Sequence, residues 1–188
     1  MKIDSEYLAY HEAGHTLVYS LMFPGCVEQV SMNDLGGVCK IGLTVLTDHE
    51  NALCLIAGHA ATDVLRNRRF NLRRFMRESF YEGSDFSKIC DMFYDIHSIP
   101  NTGPIGASYN FVLDAWIKYM AERVAVQYIK PNLSTLDRLA LRLLQSWNGT
   151  LSGDTVSEIM LGASEPPITH LESRTYCNVV RRMTTKKP

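Results

Sequence analysis

The chain has 188 residues, of which 46% are hydrophobic, and its formal net charge is −1. This length fits one globular domain with a tail, and the composition is sufficient for a sizeable core. The near-zero charge gives no overall field that would draw the protein to nucleic acid or to an anionic membrane. No apolar run approaches the roughly 18 residues that span a bilayer, and the N-terminus lacks the pattern of a signal peptide. We therefore expect a soluble, cytoplasmic protein without a membrane span.

The first third of the chain predicts a helix, two strands and a second helix. The helix-capping residue Asp4 precedes residues 6–22, which contain no helix breaker. Residues 27–32 and 38–46 are rich in β-branched side chains and are separated by turn residues, which indicates two short strands. Residues 51–66 carry apolar side chains at i, i+3, i+4 and i+7, the spacing of a helix with one buried face.

The rest of the chain predicts more helices and a polar end. Residues 66–77 form an arginine-rich segment that leads to a turn at 82–84. The residues that follow predict four helices, around 89–96, 109–129, 133–147 and 153–160, with a loop at 101–106. Residues 163–188 contain paired prolines and a basic end, so we expect a mobile C-terminal tail after a domain that covers residues 1–162.

A metal-binding pattern lies on the first predicted helix. His11-Glu12-Ala13-Gly14-His15 is an H-E-x-x-H sequence, and residues at i and i+4 share one face of a helix. Two imidazoles placed in this way can bind one zinc ion at about 2.0–2.1 Å. Glu12 is rotated around the helix, so it can act as the general base on a metal-activated water that attacks a peptide carbonyl. Two ordinary helix histidines are the structural alternative.

A catalytic zinc site also needs a third protein ligand and an open coordination position. Several acidic and imidazole side chains follow the motif, and sequence spacing alone does not choose among them. The candidates are Glu78, Glu82, Asp85, Asp91, Asp95, His49, His59, His97 and His170. Of these, His59 lies in the predicted buried-face helix, where we favour a hydrogen-bonded core histidine over a ligand.

The residues around this motif resemble the peptidase domain of the FtsH family. The similarity begins with Ala-Tyr-His-Glu-Ala-Gly-His at residues 9–15 and covers about residues 6–161. Further segments occur in the order of the family: the strand pair (27–32 and 42–45), a helix of small residues (56–61), a turn with an aspartate (83–86) and the closing helices (136–160).

The resemblance implies a fold and a set of site residues. The fold would be α+β and mainly helical, zincin-like, with a small β-sheet packed beside the H-E-x-x-H helix and a C-terminal helical bundle. One zinc ion per chain would be held by His11, His15 and Asp85, with Glu12 as the catalytic base. Asp85 has an alternative interpretation, because Ser84 and Asp85 also lie where a helix cap is expected.

The resemblance also implies an activity, with two departures from the family, one of which is the arginine-rich segment at 66–77, longer than the family's equivalent. The family couples its peptidase to an ATPase domain, whereas here the motif starts near residue 10 and no P-loop sequence is present. We therefore expect a zinc metalloendopeptidase that has no ATPase of its own and cleaves peptides or unfolded protein segments. Such substrates could add as a strand to an exposed sheet edge, with residues 42–46 as the first candidate.

Alternative functions and partners follow from the same residues. The chain could instead be a catalytically silent relative that binds unfolded segments, or that regulates or docks on a separate ATPase or protease. A separately encoded ATPase and a homo-oligomer are further expected partners, since the family works as rings. The arginines of residues 66–77 could bind an acidic partner, an RNA or a substrate, although we favour a solvated, salt-bridged face. The near-zero net charge argues against nucleic acid as the main partner.

Overall fold

The structure is a computed structural model that describes residues 4–33, 36–42, 46–78, 84–97 and 111–163, except for the side chains of 78, 94–97 and 111–112. The described part is mainly helical with one small sheet, which confirms the predicted α+β class. In chain order its elements are α1 Ser5–Met22, β1 Val27–Asn33, β2 Gly36–Ile41, α2 Asp48–Leu65, α3 Leu72–Glu78, α4 Asp85–His97, α5 Phe111–Val124, α6 Leu133–Gln145, β3 Thr150–Ser152 and α7 Gly153–Met160.

Among the described residues, the sheet has three antiparallel strands in the order β2-β1-β3. Strand β1 pairs with β2 from Val27↔Ile41 to Asn33↔Gly36, with an irregularity after Val27, and it pairs with β3 through its centre. The chain enters β3 through Gly149, whose positive φ of 64° suits glycine and whose carbonyl accepts a hydrogen bond from the Met32 amide at 2.8 Å. Strand β2 therefore lies at one edge of the sheet.

Helices α1 and α2 cross at the centre of the described core. Gly14 makes this close approach possible, because a Cβ atom there would lie 2.6 Å from the Ala57 carbonyl oxygen and 2.7 Å from the Ala61 Cβ. Along α1, the side chains from Leu8 to Ser20 are buried except that of His11, which is half-buried. The sheet packs on α1, as predicted, and α5 and α6 pack on the α1–α2 pair. The H-E-x-x-H motif consequently lies between the sheet and α2.

Two elements near the site differ from the sequence prediction. Strand β2 starts at Gly36 and ends at Ile41, whereas residues 38–46 were predicted. It starts earlier because Gly36 and Gly37 also pair with β1. At its other end, Gly42 and Leu46 lie outside strands. Helix α3 was not predicted at all. Leu72 and Phe75 of this helix are three residues apart and both buried, which is the spacing of an apolar helix face. The arginines around them made this short apolar pattern hard to recognise in the sequence.

The C-terminal helices follow the prediction more closely. Helix α7 has the predicted bounds, and α6 ends two residues early at Gln145. The predicted helix at 109–129 is regular only to Val124; it then widens into a π-helical turn, Ala125–Ile129, before Pro131, which lacks the amide needed to continue the helix. The predicted loop at 101–106 and the tail beyond 163 lie outside the described residues. Among the helices described, none combines the length and apolarity needed to cross a bilayer.

Candidate metal centre

Helix α1 brings two imidazoles together. The Asp4 carboxylate begins the helix by accepting a hydrogen bond from the Glu6 amide at 3.1 Å. One turn of helix separates His11 from His15, and their Nε2 atoms lie 3.0 Å apart. The His15 ring is buried and the His11 ring is half-buried. The predicted pair is therefore assembled, with both Nε2 atoms directed at the same point.

Asp85 completes a three-residue cluster from the start of α4. Its Oδ2 atom lies 3.4 Å from Nε2 of His11 and 3.2 Å from Nε2 of His15. The capping alternative is resolved by its neighbour, because the Ser84 hydroxyl accepts the hydrogen bond from the Ser87 amide at 3.2 Å. With Ser84 in the capping role, the carboxylate of Asp85 is directed at the two imidazoles.

The spacing of these three atoms fits a tetrahedral metal ion. Ligand atoms bound at about 2.0–2.1 Å around tetrahedral zinc are separated from one another by about 3.3–3.4 Å. The two Nε2 atoms and the Asp85 Oδ2 atom are separated by 3.0, 3.2 and 3.4 Å. Two imidazole nitrogens and one carboxylate oxygen also form a donor set of the kind that zinc binds in catalytic sites. Together they can supply three of its four ligands.

Glu12 lies beside this cluster and packs against β2. The residue is 4% exposed, and its side chain lies against Gly37, where any Cβ atom would overlap the Glu12 carboxylate. Its carboxylate is also within 4.8 Å of the ligand atoms of the two histidines, so it is a geometric alternative to Asp85 as the third ligand. We assign that place to Asp85, because its oxygen is 3.2–3.4 Å from both Nε2 atoms.

Burial and the neighbouring charges change the acidity of these groups. Burial raises the pKa of Glu12 above its usual range, although the charges of His15 and His11 oppose this effect. Burial disfavours the charged form of His15, yet the Asp85 carboxylate outweighs it and raises the pKa of His15 to about 9. Burial would raise the pKa of Asp85, but the two histidines hold it far below its usual range. A metal ion that binds here would compete with a proton for His15.

Helix α2 fixes the orientation of the imidazoles. The His15 Nδ1 atom lies 2.7 Å from the Cys54 carbonyl oxygen, a contact that orients Nε2 toward the cluster and is typical of metal-binding histidines. Gly58 leaves room for both rings, because a Cβ atom there would lie 2.6 Å from Nε2 of His15 and 2.7 Å from Nδ1 of His11. That Nδ1 atom is buried without a hydrogen-bond partner in the described part of the chain.

A third imidazole, His59, lies next to the cluster. Its ring contacts that of His11 edge to face at 4.8 Å, and His59 can group with His11 and Asp85 as a metal-binding set. Burial, together with the charge of His11, holds the pKa of His59 well below its usual range. The Tyr7 hydroxyl lies 3.5 Å from its Nδ1 atom. The sequence favoured a hydrogen-bonded core histidine over a ligand at this position. His59 is buried as expected, and the α1–α2 crossing brings it next to His11.

The other candidate ligands do not join the cluster in the described structure. His49 lies against Trp116, with 6.4 Å between the ring centroids, and Asp91 is exposed. Glu82 and His170 lie outside the described residues, as do the side chains of Glu78, Asp95 and His97.

The arginine segment lies beside this centre. Most of its side chains are exposed, as expected for a solvated face: Arg66, Arg68, Arg69, Arg73 and Arg77. Arg74 is different, because it forms a salt bridge with the buried Asp63 of α2. Arg66 lies 3.9 Å from Asp4 and stacks its guanidinium over the Tyr7 ring.

A scan of the chain against models of known protein families finds no match, and a search of curated proteins finds none either.

Proposed function

We propose that this chain is a zinc metalloendopeptidase that hydrolyses peptide bonds in peptides or unfolded protein segments. The observation that carries the proposal is the convergence of His11, His15 and Asp85 within 3.0–3.4 Å of one another, with the buried Glu12 beside them. This arrangement, between a small sheet and a helix pair, supports a zincin-like domain of the FtsH type.

Each residue around the centre has a separate role in the proposed reaction. His11, His15 and Asp85 would hold the zinc ion, which when bound supplies a Lewis acid that polarises a substrate carbonyl and makes water more acidic. Glu12 takes the proton from the attacking water and then gives it to the leaving amine. Its burial suits this role, because a general base works best when its pKa lies near the working pH. The Cys54 carbonyl keeps His15 in its ligand orientation.

The outer edge of β2 offers a place for the substrate backbone. Within the described residues, β2 pairs only with β1, so its other edge has free amide and carbonyl groups. Gly37, in this strand, touches Glu12, which places the edge beside the catalytic base. An extended peptide can add to such an edge as a further strand. Such an edge would select unfolded segments, since folded chains do not present free strands. Of the candidate residues 42–46, which follow β2 directly, 43–45 lie outside the described structure.

The decisive experiment is cleavage of an unfolded test protein by wild type and by the Glu12→Gln variant. We expect the variant to retain one zinc ion per chain and to lose about 10²–10⁴-fold in kcat, the usual contribution of a positioned acid–base group. Glu122→Gln, which changes an exposed glutamate of α5, is the matched control and should cleave like wild type. A chelator should abolish cleavage and zinc should restore it.

One observation favours a second candidate function. Asp85 Oδ2 lies 3.2 Å from Nε2 of His15, and its charge raises the pKa of that imidazole, so the two side chains can form an ion pair and the cluster can also serve as a structural element. In that case the chain would bind unfolded segments along β2 without cleaving them. Peptide binding that survives Glu12→Gln, combined with no turnover by zinc-loaded wild type, would establish this candidate and refute the peptidase.

A further inference from the structure

The arginine segment forms a concentrated positive charge on a nearly neutral chain. Residues 66–78 contain six arginines and one glutamate, whereas the whole chain has a net charge of −1. Arg66 and Arg74 are engaged by Asp4 and Asp63. Four other arginines are exposed and form no salt bridge with any described residue: Arg68, Arg69, Arg73 and Arg77. On α3, Arg73 and Arg77 are four residues apart, so they lie on the same face of the helix.

Helix α3 is held firmly against the rest of the described structure. The salt bridge from Arg74 reaches Asp63, whose side chain is only 2% exposed. Leu72 and Phe75 are buried, and Phe75 packs on Phe70 with 5.7 Å between the ring centroids. A partly buried ion pair and two buried apolar side chains fix the position of α3, and with it the positions from which its exposed arginines extend.

Contacts of Phe75 place α3 close to the metal centre. The Phe75 ring lies 4.5 Å from that of His59, which in turn lies 4.8 Å from that of His11. Phe75 also contacts Phe86, the residue that follows Asp85, at 5.6 Å. Two side-chain layers therefore separate α3 from the ligands. The path from the Phe75 ring through the His59 ring to the His11 ring consists of steps of 4.5 Å and 4.8 Å. Lengthened by an arginine side chain, this path is as long as about three to five residues of extended peptide, at about 3.3–3.6 Å per residue.

We infer that Arg73 and Arg77 bind acidic side chains of the substrate, so that the enzyme prefers peptides with Asp or Glu about three to five residues from the cleaved bond. This inference rests on the proposed function for its substrate, but the surface itself can be tested by binding alone. The guanidinium group suits this role, because it presents paired N–H donors that match the two oxygens of a carboxylate.

The alternative polyanion, single-stranded nucleic acid, fits the surface less well. Sites for single strands combine basic residues with exposed aromatic rings on which bases stack. Here Phe75 is buried and Phe70 is half-buried against it, so neither offers a free ring face like those sites. The net charge of −1 also provides no long-range attraction for a polyanion.

The test compares two peptides that share one cleavable sequence. One carries glutamates three to five residues from the bond on both sides, and the other carries glutamines at the same positions. Wild type should cleave the acidic peptide with a kcat/KM about fivefold to tenfold higher, as expected for two exposed ion pairs. In Arg73→Glu/Arg77→Glu the preference should disappear while cleavage of the neutral peptide is retained. Arg142→Glu, an exposed arginine of α6, is the control and should keep the preference.

Binding separates this inference from the proposed function. Fluorescence anisotropy of the acidic peptide should show tighter binding to chelator-treated wild type than to the double variant, even if neither peptide is cleaved. That result would refute the proposed peptidase function and support the inferred binding of acidic side chains by Arg73 and Arg77. If the double variant loses its folded circular dichroism spectrum, Arg73→Gln/Arg77→Gln replaces it. The inference is overturned if wild type binds and cleaves both peptides equally well, or if a single-stranded oligonucleotide of equal charge binds more tightly than the acidic peptide.

Discussion

The ligands of the candidate metal centre come from two regions that are held in place differently. His11 and His15 lie in the middle of α1, which is buried along most of its length and crosses α2 closely at Gly14. Asp85 is the first residue of α4, and its side chain is 20% exposed. One region is part of the core and the other is at its margin.

The difference shows which forces build each half of the site. The histidine pair is set by the local geometry of one helix and refined by the Cys54 carbonyl and the space at Gly58. The position of Asp85, seventy residues further along, depends on the packing of α4, whose buried Ile89 and Phe93 help to place that helix on the core. Changes at the α1–α2 crossing should therefore affect stability as well as metal binding, whereas changes at Asp85 should mainly affect metal binding.

The largest effect is expected for Asp85→Asn. The amide cannot supply the negative charge that balances the metal ion, so zinc affinity should fall by more than the 10–100-fold that is typical for loss of an outer-shell partner. Competition with a chromophoric chelator measures this affinity. Asp91→Asn, which changes an exposed carboxylate on the same helix, is the control and should bind zinc like wild type.

Gly58→Ala should affect the histidine side of the site. The new methyl group would lie 2.6–2.7 Å from ring atoms of His15 and His11, so both imidazoles must shift. We expect zinc affinity to fall about 10–100-fold, as for other losses of ligand orientation. Gly42→Ala provides the comparison, since its methyl group meets only the end of the Glu28 side chain within 3.4 Å. Unchanged zinc affinity in Gly58→Ala would show that both imidazole rings can accommodate the methyl group and still bind the metal.

Gly14→Ala should show how much the α1–α2 crossing contributes to fold stability in the absence of metal. Its methyl group would meet the Ala57 carbonyl oxygen at 2.6 Å, and a backbone atom cannot move aside as a side chain can. Overpacking should cost about 1–3 kcal/mol, partly offset by the better helix propensity of alanine. Urea unfolding of the metal-free protein measures the change. Gly162→Ala, at an exposed position after α7, should stay within about 0.5 kcal/mol of wild type.

The smallest effect is expected from two matched cap variants. Ser84→Ala and Ser152→Ala each remove a hydroxyl that accepts an amide hydrogen bond in the first turn of a helix, at a cost of about 1 kcal/mol. Only Ser84 precedes a proposed ligand, so only Ser84→Ala should also weaken zinc binding, by a few-fold. Equal zinc affinities in the two variants would mean that the cap does not position Asp85.

The sequence predicted what depends on local spacing and left open what depends on packing. The histidine pair and most helices follow from residues close together in the chain, and α7 was predicted to the residue. The proposed third ligand could not be predicted from spacing, because nine side chains were compatible with it. Only the resemblance singled out Asp85. His59 was one of these nine candidates, and sequence spacing did not show that it lies beside His11. Strand β3 has three residues, which is too short for an alternating pattern, and it forms only because β1 offers a partner.

The most direct test of the centre is a zinc titration of wild type alongside the double variant His11→Ala/His15→Ala, with bound zinc measured per chain. We expect wild type to saturate at one zinc ion and the double variant to bind none at the same free zinc concentration. No saturable binding by wild type, or equal binding by the double variant, would contradict the assignment of the metal to His11, His15 and Asp85.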